Sequence, residues 1–286
     1  LTPFKNEQVI NGNGKVLAPG FIDTHSHVDR ELNNTPNALA AISQGITTIV
    51  IGQDGESEPI DSLKKWCTTI PKSVNIASYT GHATIRAMVM GKDEVYRPAT
   101  QEEIDQMNVL LEAELAGGSL GLSTGLEYEG GFYSTMDEII QLAKTTAAGG
   151  GKYISHLRSE DIKLNDAIDE IITIGYEAKI PVQISHIKIA LKDDWGTATQ
   201  IIAKLETARE AGVDITADCY PYTYWNATIR VLFPNKDFTS MEGARYATTH
   251  LFDPSGSIMV RYKPNPEYAG KSISEIAAMR NESNEA

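Results

Sequence analysis

Basic charge is what this chain most lacks. Lys and Arg total 25 against 38 Asp and Glu, a formal net charge of −13 over 286 residues. Such a surface repels phosphate backbones and anionic lipid, so neither nucleic acid nor membrane is expected as a partner. No apolar run approaches the roughly 18–20 residues of a spanning helix, and the first residues do not have the form of a secretory leader. Cysteine is scarce: Cys67 and Cys219 alone cannot build a disulfide framework. That fits a reducing compartment, with the cytoplasm favoured, or a protein indifferent to redox. No GxGxxG follows the first predicted strand, which removes the main signal for dinucleotide binding. Internal repeats and low-complexity tracts are also missing. What remains is an ordinary globular balance, 41% hydrophobic and 22% charged, enough for one large domain or two small ones.

The middle of the chain alternates short apolar runs with amphipathic ones. Strands are expected at Phe21–Thr24, Thr47–Ile51, Val74–Tyr79, Leu120–Ser123, Tyr153–Ser155, Val182–Ser185 and Ile215–Ala217. They are short and apolar, several of them β-branched, as buried parallel strands are. Helices are expected at Glu102–Ala116, Met136–Ala148, Leu164–Glu177 and Thr197–Ala211. Strand–helix alternation at this spacing argues for a parallel α/β sheet. Beyond Pro234 the pattern fades, and 235–270 reads as a long loop or excursion. The chain opens on Leu1 and closes on a polar run just after an amphipathic segment, so a fragment is the expectation.

The histidines choose between a doubly wound sheet and a barrel. Phe21-Ile-Asp-Thr-His25-Ser-His27 places two imidazoles at i and i+2, on one side of an extended chain. Tyr153-Ile-Ser-His156 and Gln183-Ile-Ser-His186 close two further strands, one βα unit apart. In a barrel of parallel strands these ends converge on one mouth. Four neutral nitrogen donors on rigid elements are what a zinc-class ion takes, as one ion or two. An anionic ligand should join them. Asp54, in Gly52-Gln-Asp-Gly-Glu56 just past the second strand, is the candidate, with a plain turn residue as the competing reading. Asp23 alternates onto the side of His25 and could support it from behind. His82, with Arg86 nearby, reads as a supporting or structural residue, and His250 receives no role.

Cations and phenols follow the histidines. Arg158 lies two after His156 and Lys188 two after His186, placed to bind a substrate carboxylate. For Arg158 an ion pair to Glu160 or Asp161 competes equally. Tyr128 and Tyr220 lie in loops after strands, where a phenol can donate to a carbonyl oxygen as charge develops. Tyr222 reads as packing.

Together these residues resemble the D-aminoacylase (N-acyl-D-amino-acid deacylase) family of the metal-dependent amidohydrolases. The carrying segments are Ala18-Pro-Gly-Phe-Ile-Asp-Thr-His25-Ser-His27, Ser43-Gln-Gly-Ile-Thr-Thr-Ile-Val50, Gly121-Leu-Ser-Thr-Gly-Leu-Glu-Tyr128, Ile154-Ser-His156-Leu-Arg158-Ser-Glu160, Ile184-Ser-His186-Ile-Lys188 and Asp218-Cys-Tyr-Pro-Tyr222. The first marks only the superfamily; the later ones point to the deacylase branch. The resemblance implies a distorted TIM-like (β/α)8 barrel with a small β-domain built from both chain ends. It implies His25 and His27 at one metal position and His156 and His186 at the other. Substrate contacts from Tyr128, Lys188 and Tyr220, and a general base on the eighth strand, are also implied, as is hydrolysis of N-acyl amino acids, a small-molecule partner.

Two departures stand out. Family members often carry cysteine in a Gly-Asn-Cys-Gly turn where this chain has Gly52-Gln-Asp54-Gly55. Carboxylate is a harder ligand than thiolate, which bears on metal preference. Second, only seven strands can be found, so the eighth strand and its aspartate are expected to be missing. The domain reading is then 1–19 as a remnant of the small β-domain, 20–234 as the barrel and 235–286 as an irregular excursion or insertion. Two alternatives stay open. A cyclic-amide hydrolase of the dihydroorotase or hydantoinase kind would carry a carboxylated lysine on the fourth strand, and Leu120-Gly-Leu-Ser-Thr-Gly125 has none. A catalytically silent metal-binding fragment is the other.

Overall fold

The computed structural model describes residues 5–69 and 72–286; residues 1–4, at the start of the expected 1–19 remnant, lie outside them. Parallel strands form the scaffold: β1 (Phe21–Asp23), β2 (Ile46–Ile51), β3 (Asn75–Ser78), β4 (Thr80–Gly81), β5 (Gly121–Gly125), β6 (Lys152–His156), β7 (Val182–Ile184) and β8 (Ile215–Ala217). They pair in the order β1-β2-β3 and β4-β5-β6-β7-β8. Only Tyr79 separates β3 from β4. Its N–H donates to the Ile51 carbonyl at 3.1 Å, and the Leu120 N–H donates to the Ser78 carbonyl at 2.9 Å. The two segments therefore share one strand position. Registers such as Ile49↔Ile76, Ser123↔Ile154 and Ile184↔Ala217 place the strand ends side by side.

Helices lie between these strands in the chain, α1 (Leu39–Ile42), α2 (Ile60–Thr69), α3 (His82–Met90), α4 (Gln101–Ala116), α5 (Glu129–Phe132), α6 (Met136–Ala148), α7 (Leu164–Ala178) and α8 (Ala198–Glu210), and α9 (Met241–Tyr246) and α10 (Ile273–Arg280) follow β8. Local chemistry sets where several begin. Thr100 and Glu103 form a reciprocal capping box at α4, Ser272 and Glu275 another at α10, and Thr135 caps α6. The buried stripe of α7, Leu164, Ala167, Ile168, Ile171, Ile174 and Ala178, packs into the main core with Met107 and Leu111 of α4, Ile139 and Leu142 of α6 and Leu122, Val182 and Ile215 of the strands. A smaller cluster, including Ile49, Ile51, Ile60, Leu63 and Val74, joins β2 to α2.

The sheet curves. Val50 of β2, Tyr79 and Ile154 of β6 are buried against one another on the face opposite α2, although β2 and β6 are not neighbours in the sheet. Among the described residues no strand pairs with the outer edge of β1 or of β8. Phe21 and Ile22 on β1 are 61% and 62% exposed.

The four helices read from sequence all form, within one or two residues at each end. Helices α2 and α3 were not anticipated. Only Ile60 and Leu63 of α2 are buried, while α3 buries polar His82 and Arg86 beside Ile85 and Met90, so neither shows a clean apolar stripe. No strand forms in residues 5–20, where a β-domain remnant was expected. The region past 234 is more regular than expected, with α9, α10 and an antiparallel bridge from Ile258 to Ser272. It is also tied down: Lys192 donates to the Phe252 carbonyl at 3.3 Å, and His250 pairs with Asp193 at 2.7 Å.

Candidate metal centre

Four histidines meet at the C-terminal ends of the strands. His25 and His27 follow β1, His156 is the last residue of β6, and His186 lies just past β7. Ring centroids are 5.4 Å apart for His25 and His27, 5.2 Å for His25 and His186, and 4.6 Å for His156 and His186. Asp54 sits among them. One carboxylate oxygen, Oδ1, faces the Nε2 atoms of His186 at 3.5 Å and His25 at 3.8 Å; Oδ2 faces His27 Nε2 at 3.2 Å.

Backbone constraint puts Asp54 there. Its φ is +56°, between Gly52 at +74° and Gly55 at +83°. A Cβ on Gly52 would come within 2.3 Å of the Tyr79 carbonyl oxygen, and one on Gly55 within 2.8 Å of the Gly125 amide nitrogen. Only glycine fits at both places. Asp tolerates the left-handed region between them better than most residues. Gln53 pins the turn through bonds to the Thr24 and Val50 carbonyls, both 3.1 Å. His186 is also left-handed, at φ +36°. Strained backbone at such positions is a feature of ligand-holding sites.

Three carboxylates surround this cluster. Glu127, on the loop after β5, lies 2.9 Å from His156 Nε2. Glu160 lies 3.0 Å from His186 Nδ1 and 2.5 Å from Lys188 Nζ. Asp218, the first residue after β8, faces His25 Nδ1 at 3.4 Å and accepts from the His186 amide and from Gln183, both at 2.5 Å. Sequence reasoning assigned none of the three a place at the site. Each sits in a segment already quoted, beside a histidine or at a strand end, but nothing in the spacing says which ring it meets. Asp23, considered as support for His25, instead accepts from the His25 backbone amide at 3.2 Å.

The electrostatics follow from that crowding. Burial raises the Asp54 carboxyl, yet the imidazoles of His186 and His27 beside it outweigh that and hold Asp54 far below the usual range. Glu160 is likewise raised by burial and pulled down to about 2 by His156, His186 and Lys188. His186 is pushed up to about 9: burial lowers it, but the carboxylates of Asp54 and Glu160 beside it prevail. Burial lifts Glu127, which only His156 offsets by a direct bond.

The donor set fits a cation. Asp54 Oδ1 is buried and has no hydrogen-bond partner, a costly state for a carboxylate unless something positive reaches it. Donor atoms 3.2–3.8 Å apart match ligands whose bonds to zinc run about 2.0–2.2 Å. Two groups, His25 with Asp54 and His186, and His156 with Glu160 and His186, have the spacing to hold an ion.

The remaining candidates divide. Tyr128 stacks against His156 with ring centroids 4.5 Å apart, and burial and the neighbouring carboxylates raise its phenol well above 10, so it remains a donor. Lys188 reaches Glu160 and His186 Nδ1, the latter at 2.8 Å. Its Nζ lies 5.9 Å from the ring of Tyr220, whose phenol burial pushes up to about 12. Trp225, Val231 and Leu232 form an apolar wall beside His156 and Lys188. Arg158 turns away. It forms a bidentate pair with Glu170 at 2.8–3.1 Å and donates to the Phe132 carbonyl at 2.9 Å. Its ion-pair partner is Glu170 on α7, not its sequence neighbours Glu160 or Asp161. His82 is far from free: it joins Arg86 and Glu138 in a wholly buried network, at 2.8 and 2.9 Å from Glu138.

The amidohydrolase family profile matches residues 8–239. The chain is 32% identical to a D-aminoacylase of Alcaligenes xylosoxydans xylosoxydans, over 96% of this chain and 57% of that protein. It is also 32% identical to an N-acyl-D-aspartate deacylase of the same organism, over 94% and 55%. A crystal structure of N-acyl-D-glutamate deacylase from Bordetella bronchiseptica, complexed with zinc and a phosphonate inhibitor, superposes with a TM-score of 0.82 at 27% identity, covering 93% of this chain and 57% of that one. The chain thus spans a little over half the length of each of these proteins. Its histidine-lined strand ends, its parallel α/β scaffold and these likenesses lead to one conclusion: the chain belongs to the amidohydrolase family, in the branch that holds the D-aminoacylases.

Proposed function

We propose that this chain carries the metal-binding and substrate-holding part of a hydrolase that cleaves the amide bond of N-acyl amino acids to a carboxylate and a free amino acid. The single observation behind this reading is the cluster of imidazoles around Asp54: His25 and His186 face its partnerless Oδ1, His27 faces Oδ2, and His156 adjoins His186. His25, His27, Asp54, His156 and His186 would hold one or two zinc ions. A zinc-class ion, when bound, supplies Lewis acidity and brings the pKa of a water to roughly 7.

The chain's own residues do the rest. Tyr128, kept protonated by burial, donates to the carbonyl oxygen as it gains charge. Lys188 and Tyr220 hold the substrate carboxylate, and the wall of Trp225, Val231 and Leu232 excludes water and accepts an apolar group. Preference for the D configuration is supported by the named relatives alone.

The barrel reading, the division into 1–19, 20–234 and 235–286, and a cytoplasmic setting are part of this proposal. An eighth strand would lie between the outer edges of β1 and β8, bringing the proton-carrying aspartate that the family resemblance implies. Asp218 is a poor substitute, since three donors already engage it. The cyclic-amide alternative draws no support from β5, which has no lysine.

The test is a substrate panel. Zinc-loaded protein, as this chain and in a longer form supplying the eighth strand, is assayed on N-acyl-D-amino acids, their L-enantiomers and cyclic ureides. Release of free D-amino acid by the longer form is expected. Turnover of ureides alone would overturn the substrate class, and absence of turnover by both forms would favour the silent metal-binding alternative.

A further inference from the structure

We propose that Glu127 and Asp218 are positioning residues that decide which ring nitrogen of His156 and of His25 faces the cation; this rests on the metal-centre reading above. Each carboxylate meets one imidazole on the side away from the cluster. Asp218 Oδ2 faces His25 Nδ1 at 3.4 Å, and Glu127 Oε2 faces His156 Nε2 at 2.9 Å. A carboxylate accepts and does not donate, so each pair places the imidazole proton on the outward nitrogen. The inward nitrogens, Nε2 of His25 and Nδ1 of His156, are left as lone pairs.

Both lone pairs face into the cluster, and the one on His25 faces a place where nothing donates to it. His25 Nε2 looks at Asp54 Oδ1 across 3.8 Å, and that oxygen has no hydrogen-bond partner. Two acceptors turned toward one another repel, unless a cation lies between them. His156 Nδ1 stands 3.0 Å from His186 Nε2, and with the His156 proton on Nε2 it is the acceptor of that bond. The two histidines thus present unlike atoms, one Nε2 and one Nδ1, and the carboxylate behind each ring sets that difference. An outward hydrogen bond also fixes the ring plane and raises the basicity of the ligating nitrogen.

Asp218 does a second job. The same carboxylate accepts from the backbone N–H of His186, whose φ of +36° is strained. One side chain therefore ties the ligand after β1 to the ligand after β7, and Gln183 holds that side chain in place at 2.5 Å.

The experiment uses cobalt(II) as probe. Affinity is measured by chelator competition on wild type, Glu127→Gln, Glu127→Met, Asp218→Asn and Asp218→Leu, together with the visible cobalt spectrum and the thermal midpoint of the metal-free protein. The apolar variants are expected to bind cobalt about 10–100-fold more weakly with an altered spectrum. Glu127→Gln, which keeps an acceptor at the same place, should recover most of the loss. Wild-type affinity and spectrum in Glu127→Met and Asp218→Leu would overturn the inference. So would losses that merely follow a lowered metal-free midpoint, which would make both residues structural. A wild-type chain that takes up no cobalt overturns the metal-centre reading itself, a result distinct from variants that match a binding wild type.

Discussion

His25 Nδ1 lies 3.4 Å from Asp218 Oδ2, with 193 residues of chain between them. One follows the first strand of the sheet order and the other the last. Their contact brings the two free edges of the sheet to a common end and closes the ring of side chains around Asp54. The backbone of β1 and β8 does not pair, yet the site they frame is joined.

His186→Ala removes the imidazole shared by both ligand groups. Metal content by emission spectrometry is expected to fall to background in this variant. His250→Ala, altering a histidine that pairs with Asp193, is expected to keep the wild-type stoichiometry. Equal metal in His186→Ala and wild type would count against the site.

Tyr128→Phe removes one phenol and leaves its ring against His156. Loss of an oxyanion donor costs about 10²–10³-fold in kcat, or roughly 2.7–4 kcal/mol. Turnover of an N-acyl amino acid by the longer form should fall in that range with metal content unchanged. A drop in metal content would instead assign Tyr128 to holding His156.

Gly52→Ala places a Cβ 2.3 Å from the Tyr79 carbonyl oxygen, at a φ of +74°. The strain is on the order of 1–3 kcal/mol, and the displaced turn carries Asp54. Thermal unfolding should show a lower midpoint, and cobalt titration a weaker site. Gly196→Ala, at a φ of +96° with open space around it, carries only the backbone strain and should bind cobalt as wild type does.

Glu138 is buried with His82 and Arg86. Burial raises its carboxyl, but the His82 hydrogen bond and the charges of His82 and Arg86 outweigh that and hold it below 4.5. A carboxyl depressed in the folded state contributes stability above its unfolded pKa, which is lost as pH falls through the folded value. Unfolding by urea should therefore become easier on acidification below about pH 4.5, and Glu138→Gln should flatten that limb. At neutral pH Glu138→Gln leaves Arg86 buried against a neutral partner, and a loss of about 3–5 kcal/mol is expected.

Arg158→Ala tests the reassignment of that residue. Its guanidinium is engaged by Glu170 and the Phe132 carbonyl, so the variant should unfold at a lower urea concentration. The KM for N-acyl amino acids should stay near the wild-type value, and a large rise would restore Arg158 to the substrate.

How far the chain could be read depended on how local each signal was. Strand ends, capped helices and the HxH pair are encoded by neighbours in the chain, so β1–β3, β5–β8, α4, α6, α7 and α8 were legible, and so were the five residues gathered at the site, whereas β4 (Thr80–Gly81) was not. Helices α2 and α3 were hidden because few or polar residues fill their buried positions. Tertiary packing alone decided the partners. Arg158 passes its sequence neighbours Glu160 and Asp161 for Glu170 on the facing turn of α7. Glu127 and Asp218 become supports for His156 and His25 only once β5 lies beside β6 and the last strand end meets the first. Residue type and local spacing determine which groups arrive at the mouth. The curvature of the sheet, set by side chains buried far apart in sequence such as Val50, Tyr79 and Ile154, determines which of them touch.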